Sequence, residues 1–103
     1  MQRIGQRARL KPGSEEKYEQ VHREVWPVVL ETLKKAGVHN YSIFREGLDL
    51  FAYFELPDDL EKMESIYNEM GECIQWEQLM APMMECHEGI SFWKNMSVIF
   101  YLQ

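Results

Sequence analysis

The order of hydrophobic periods along this chain predicts an α+β fold of the ferredoxin-like, split βαβ plan, with one antiparallel sheet and helices on one of its faces. Three observations carry that reading. Four short stretches are strand-like, most of them alternating residue types with a period of two. Two longer regions repeat apolar residues at i, i+3 and i+4, as helices with one buried face do. The regions follow one another as strand, helix, strand, strand, helix pair, strand.

Gln2 to Leu10 sets Ile4, Gln6, Ala8 and Leu10 against Arg3, Gly5, Arg7 and Arg9, a strand with a solvated basic face. Lys11-Pro12-Gly13 is a turn. Ser14 to Gly37 then reads as one amphipathic helix. Ser14 is its expected N-cap, and Glu15 and Glu16 oppose Lys34 and Lys35 along the helix dipole. Gly37 closes it in the left-handed conformation. Tyr18, His22, Val25, Trp26, Val29, Leu33 and Ala36 mark the buried face. Pro27 falls in the middle, where its missing N–H and its ring against the Arg23 carbonyl predict a kink costing ~3 kcal/mol.

Val38 to Arg45 is a second strand, with Tyr41, Ile43 and Arg45 on one face and Asn40, Ser42 and Phe44 on the other. Glu46-Gly47-Leu48-Asp49 connects it to a third, Leu50 to Leu56, and the pair reads as a hairpin. Asp58 or Asp59 can cap the next helical region, which Gly71 should break. A further helix is expected from about Glu72 to Met84, with Pro82 near its end. Glu85 to Phe92 reads as loop. Trp93 to Leu102 reads as a fourth strand with two apolar faces, buried on both sides. The outer face of the sheet then needs a cover. Phe51, Tyr53, Ile99 and Tyr101 are expected to pack on a second copy, giving a two-fold homodimer and a dimeric α+β barrel.

A chain of 103 residues is expected to form a single domain, 1–103, with a core modest enough to profit from a second copy. The net charge of −6 argues against a nucleic-acid partner. No apolar run reaches the ~18 residues of a membrane helix, and the N-terminus lacks the order of a signal peptide; a cytoplasmic protein is expected. Cys73 and Cys86 are too few for a disulfide framework, and with His22, His39 and His87 they show no zinc spacing, so no metal is expected.

The chemistry concentrates on the first helix. A lone histidine on an apolar face more often only satisfies its polar tip; a tyrosine and a histidine one turn apart weigh more toward function. In the expected packing Tyr18, His22 and Trp26 face Tyr41 across a cleft, with Trp76 as a wall. The set has no nucleophile paired with a base, no metal cluster and no glycine-rich phosphate loop. What remains is proton transfer on a neutral, polyhydroxylated ligand held against aromatic faces. Histidine suits both directions of that transfer at neutral pH.

Tyr18-x-x-x-His22-x-x-x-Trp26-Pro27, followed by Gly37-Val38-His39-Asn40-Tyr41-Ser42-Ile43 and ending in Phe100-Tyr101-Leu102, resembles the L-rhamnose mutarotase family over nearly the whole chain. The resemblance implies a dimeric, cofactor-free isomerase that interconverts the α and β anomers of a monosaccharide, L-rhamnose or a related hexose or deoxyhexose. It implies His22 as the acid and Tyr18 and Tyr41 as sugar contacts. The chain departs from the family on the last helix, where two adjacent tryptophans lie near the sugar: Trp76 matches the first, but Glu77 stands at the second. Trp76, Glu77, Trp26 and Asn40 complete the expected substrate-binding set. Glu85-Cys86-His87-Glu88-Gly89 also replaces the family's Asn-Pro-Asp-Asn-Ser loop. Two other readings fit the same plan. One is a cofactor-free monooxygenase or haem-binding protein, with His22 as axial ligand. The other is a non-catalytic sugar-binding dimer in which His22 only completes the core.

Overall fold

A computed structural model describes residues 1–86 and 92–103. Its elements are β1 (Gln2–Arg9), α1 (Glu15–His22), α2 (Pro27–Lys35), β2 (His39–Glu46), β3 (Asp49–Leu56), α3 (Leu60–Glu69), α4 (Gly71–Met80), a 3-10 turn (Ala81–Met83) and β4 (Lys94–Met96). The sheet runs β2-β3-β1-β4 with every neighbour antiparallel. That order is the ferredoxin-like plan expected from the sequence.

The long helix expected over 14–37 is two helices. Pro27 opens α2 at its first position, where a missing N–H leaves nothing unpaired. The residue before a proline is driven out of helical geometry, and Trp26 is extended at φ −59°, ψ 134°. The proline therefore starts a second helix instead of kinking a single one. Ser14 makes no side-chain cap; the Glu15 carboxylate instead accepts the Gly13 N–H at 2.7 Å. The C-terminal end of α2 matches expectation. Gly37 has φ +87°, the Val38 N–H reaches the Leu33 carbonyl at 3.0 Å, and the Gly37 N–H reaches that of Lys34 at 3.0 Å.

The sheet has two unlike faces. Along β3, Leu50, Ala52, Phe54 and Leu56 are buried toward the helices, while Phe51, Tyr53 and Glu55 turn outward. Phe44 and Met96, paired in register with Phe51 and Gly5, share the outward face. The core between sheet and helices holds Leu10, Val29, Leu50 and Cys73, with Trp76, Met80, Met83 and Met84 from α4 and the turn after it. Asp59 caps α3 by accepting the Lys62 N–H at 2.8 Å, and α4 begins at Gly71, after a break at Met70.

The last strand is much shorter than expected. β4 covers 94–96 instead of 93–102, and Val98 to Leu102 lie outside the sheet with large apolar surfaces exposed, Ile99 at 96%. Two apolar faces need a layer on each side, and this chain's helices supply only one. Arg3 holds the tail through its guanidinium, 3.2 Å above the Tyr101 ring. The loop expected over 85–92 lies largely outside the described residues. No described helix is long and apolar enough to cross a membrane.

Candidate active site

Packing four helices against a four-stranded sheet leaves a cleft of about 760 Å³ between the layers, within the usual size range of small-molecule sites. Tyr18 and His22 enter it from α1, Tyr41 from β2, Trp76 and Glu77 from α4. Five of the seven expected site residues thus meet in one space. The other two do not. Trp26 stands behind the wall, edge-on to Trp76 with ring centroids 5.2 Å apart. Asn40 lies on the outward face of the sheet, at φ 51°, and donates to Glu55 Oε1 at 2.7 Å. A bulge accounts for that: the pairing of β2 with β3 shifts between His39 and Ser42, and Asn40 takes up the extra residue in the left-handed conformation while Tyr41 turns to the helices.

Five polar residues of the lining were not singled out in the sequence: Gln6, Glu64, Tyr67, Asn68 and Asn95. Tyr67 projects from α3, and Gln6 and Asn95 sit side by side on β1 and β4, joined at 2.8 Å. In the sequence Tyr67 follows Leu60 and Met63 at helical spacing and reads only as part of a weak apolar stripe. Gln6 carried a signal: a polar residue among Ile4, Ala8 and Leu10 on a face otherwise buried.

His22 is fixed by its own helix. Its Nδ1 lies 2.8 Å from the Tyr18 carbonyl oxygen. A carbonyl only accepts, so Nδ1 carries the proton and Nε2 is the nitrogen left to meet a ligand. The Tyr18 ring stacks obliquely on the imidazole at 4.2 Å, and the Trp76 ring meets it edge-on at 5.6 Å. Tyr41 rests on Phe54 at 5.0 Å. Position along the chain is thus converted into a rigid aromatic box with one imidazole nitrogen presented. On the far side of Tyr18 and His22 lies a shallower cleft of about 400 Å³, bordered by the Glu19–Arg45 ion pair at 3.0 Å.

Burial dominates the electrostatics of the main cleft. It raises the Tyr18 and Tyr67 phenols well above their ordinary value and pushes Tyr41 up to about 12, with the charge of Glu77 adding to each. Tyr41 keeps 40% of its surface open to water while protein surrounds it on most sides, as a group on a concave wall does. Glu77 is placed similarly. Desolvation raises its carboxyl above the usual range, and the Tyr67 hydroxyl, donating to Oε1 at 2.9 Å, pulls partly the other way. Among the described residues lining the cleft there is no lysine or arginine. No three histidine, cysteine or acidic residues among those described are grouped to hold a metal.

The cleft can therefore take a neutral polyol, stack it on aromatic faces and exchange protons with it. Comparison with known proteins agrees. The family model for L-rhamnose mutarotase matches residues 3–102. The L-rhamnose mutarotase of Lactiplantibacillus plantarum is 41% identical over 96 residues, covering 88% of each chain. That of Listeria monocytogenes is 38% identical over an alignment of 108 positions covering 99% of each. In structure, the L-rhamnose mutarotase from Formosa agariphila superimposes with a TM-score of 0.83 over the whole of both chains at 24% identity. Tetracenomycin F2 cyclase from Streptomyces glaucescens superimposes with a TM-score of 0.63 at 16% identity, covering 100% of this chain and 98% of its own. The fold thus serves more than one chemistry, and the sequence relatives decide between them. This chain belongs to the L-rhamnose mutarotase family.

Proposed function

We propose that the chain interconverts the α and β anomers of L-rhamnose, or of a closely related hexose or deoxyhexose, in the cleft between α1, α4 and the sheet. His22 is the general acid, Tyr18, Tyr41 and Glu77 bind hydroxyls, and Trp76 offers a ring face. The observation that carries this reading is the pinned imidazole: with Nδ1 tied to the Tyr18 carbonyl, Nε2 can give a proton to a ring oxygen and take it back. As the bond from the anomeric carbon to the ring oxygen breaks, its electron pair stays on that oxygen and takes the His22 proton. The anomeric hydroxyl loses its own proton to a base or water, and a carbonyl forms. Rotation and reclosure on the other face give the second anomer. Positioned acid–base groups contribute typically ~10²–10⁴-fold to such steps. A lining without lysine or arginine favours a neutral sugar over a phosphorylated one.

The same reading includes a homodimer. The outward sheet face and the tail expose Phe44, Phe51, Ile99, Phe100 and Leu102, more apolar surface than a monomer of this size usually leaves wet. It also places the protein in the cytoplasm, where the unpaired Cys73 and exposed Cys86 would stay reduced.

Anomer exchange measured by saturation-transfer NMR on L-rhamnose, with and without protein, tests the activity. Acceleration over buffer, lost in His22→Gln, is expected; exchange no faster than buffer on L-rhamnose and on hydroxylated hexoses refutes it. Sedimentation should give a dimer, and a stable monomer at micromolar concentration would refute that part.

A further inference from the structure

We propose that Glu77, oriented by the Tyr67 hydroxyl, is the base that takes the anomeric proton while His22 serves the ring oxygen. This rests on the mutarotase reading above and completes it, since an acid alone opens only half of the ring-opening step.

Placement comes first. Glu77 follows Trp76 on α4, and both side chains line the cleft; Trp76 in turn meets the His22 ring at 5.6 Å. Glu77 and His22 therefore border the same cleft. Orientation comes second. The Tyr67 O–H occupies Oε1 at 2.9 Å and leaves Oε2 as the acceptor for a ligand hydroxyl. The bond crosses from α3 to α4, so two elements fix the carboxylate. Electrostatic reach comes third. The charge of Glu77 raises Tyr18, Tyr41 and Tyr67, and all four side chains line the same cleft. Glu64 is the other described carboxylate of the lining, and no side-chain hydrogen bond among the described residues orients it. A desolvated carboxylate also holds a proton more firmly than one in water, which suits a base.

The step balances. Starting from the Glu77 carboxylate and the His22 imidazolium, Oε2 takes the proton of the anomeric hydroxyl. The oxygen's electron pair forms the carbonyl, and the bond to the ring oxygen breaks. The ring oxygen keeps that bond's electrons and takes the proton from Nε2. The open aldehyde then faces a neutral imidazole and a carboxylic acid. After rotation both protons return, the ring closes on the other face, and both groups recover their starting states. Nothing is oxidised or reduced.

The groups facing Glu77 are Tyr18 and His22 from α1, Tyr41 from β2, Tyr67 and Glu64 from α3, and Cys73 on its own helix. The three phenols and the thiol, all raised, stay neutral through the acid and neutral range. The test is the pH profile of catalysed anomer exchange. The unsubstituted protein should lose rate on the acid side as Glu77 takes a proton. Glu77→Gln should lose roughly 10²-fold in kcat and lose the acid limb. Formate should restore part of the rate to Glu77→Ala. Tyr67→Phe removes the bond that lowers the Glu77 pKa, so the acid limb should move to higher pH; this variant decides the matter should the Glu77 variants fold poorly. Glu64→Gln should keep the limb, and loss of the limb there assigns it to Glu64 and overturns the proposal. Full rate with an unchanged limb in Glu77→Gln, or an unmoved limb in Tyr67→Phe, overturns it too while leaving the mutarotase reading intact. Absence of catalysis by the unsubstituted protein removes both.

Discussion

Two carboxylates on opposite faces of the sheet each accept a tyrosine hydroxyl, and they titrate in opposite directions. On the outward face Glu55 accepts from Tyr53 at 2.7 Å and from Asn40 at 2.7 Å, and these bonds hold its carboxyl below the usual range. In the cleft Glu77 accepts from Tyr67 at 2.9 Å, yet burial outweighs that bond and lifts it. A tyrosine donor is common to both; Glu55 adds a second donor in Asn40 and the charge of Arg3, while at Glu77 crowding by the cleft walls outweighs its single bond. A second pair repeats the lesson. His22 Nδ1 sits 2.8 Å from the Tyr18 carbonyl, and His39 Nδ1 sits 2.7 Å from that of Gly37, but only His22 lines the cleft. A hydrogen bond by itself separates neither the two carboxylates nor the two histidines; a place in the lining of the cleft does.

The histidine pair offers the strongest way to break this comparison. His22→Gln should lower the anomer-exchange rate by roughly 10²-fold or more with a small change in melting temperature. His39→Gln should leave the rate where it is. If both variants lose rate equally, or if His22→Gln loses stability and keeps its rate, enclosure has no bearing on catalysis and His22 is a core histidine. The two sheet faces give the next effect. Phe51→Glu on the outward face should weaken self-association by roughly 2 kcal/mol, the size of a buried aromatic anchor, as read by sedimentation. Unchanged association would mean that this face is not the dimer surface.

Inside the cleft, Tyr18→Phe removes one hydroxyl that makes no side-chain hydrogen bond among the described residues. KM should rise about fivefold, the equivalent of ~1 kcal/mol, with kcat little changed. A fall in kcat at constant KM would assign Tyr18 to the transition state instead. Glu77→Trp sharpens the picture further. An indole offers a stacking face and a single donor, whereas a carboxylate only accepts. The rate on every sugar should fall with the loss of the base, and the ratio of rates on L-rhamnose and on hydroxylated hexoses should shift toward the 6-deoxy sugar; an unchanged ratio would remove Glu77 from substrate choice.

Much of this was legible in the chain because period and burial are local properties. The alternation of β3 told which residues face the helices, and the i, i+4 spacing of Tyr18 and His22 put both on one face. The break before Pro27 was misread as a kink because the period carries on across it; only the extended Trp26 reveals a second helix. The last strand was overread for a different reason. Its alternation at 98–102 describes what the segment could bury, and burial needs a layer that this chain does not provide. Tyr67 was missed because its role depends on a bond to another helix, which no spacing encodes. Asn40 stands where β2 bulges against β3, a local break in pairing that the period of the strand does not encode.

The smallest effect concerns stability and turns on sign. Raising the Glu77 pKa above 4.5 in the folded state means that the fold binds its proton more tightly than the unfolded chain does. Stability from this group is then full at low pH, falls as pH rises through the ordinary carboxylate value toward the raised one, and stays reduced above it. Glutamine keeps an acceptor for Tyr67 and cannot ionise. Glu77→Gln should therefore melt with the unsubstituted protein at acid pH and slightly above it at neutral pH. Glu55 runs the other way. Its lowered pKa contributes stability above the ordinary value that is lost as pH falls through the lowered one, so Glu55→Gln should melt below the unsubstituted protein at neutral pH and converge with it in acid. Both shifts should be small, because water reaches Glu55 on the open face and reaches Glu77 through the mouth of the cleft. Melting curves of the two variants across that range would have to diverge in opposite directions. Parallel curves would mean that the two faces do not differ in how they treat a charge.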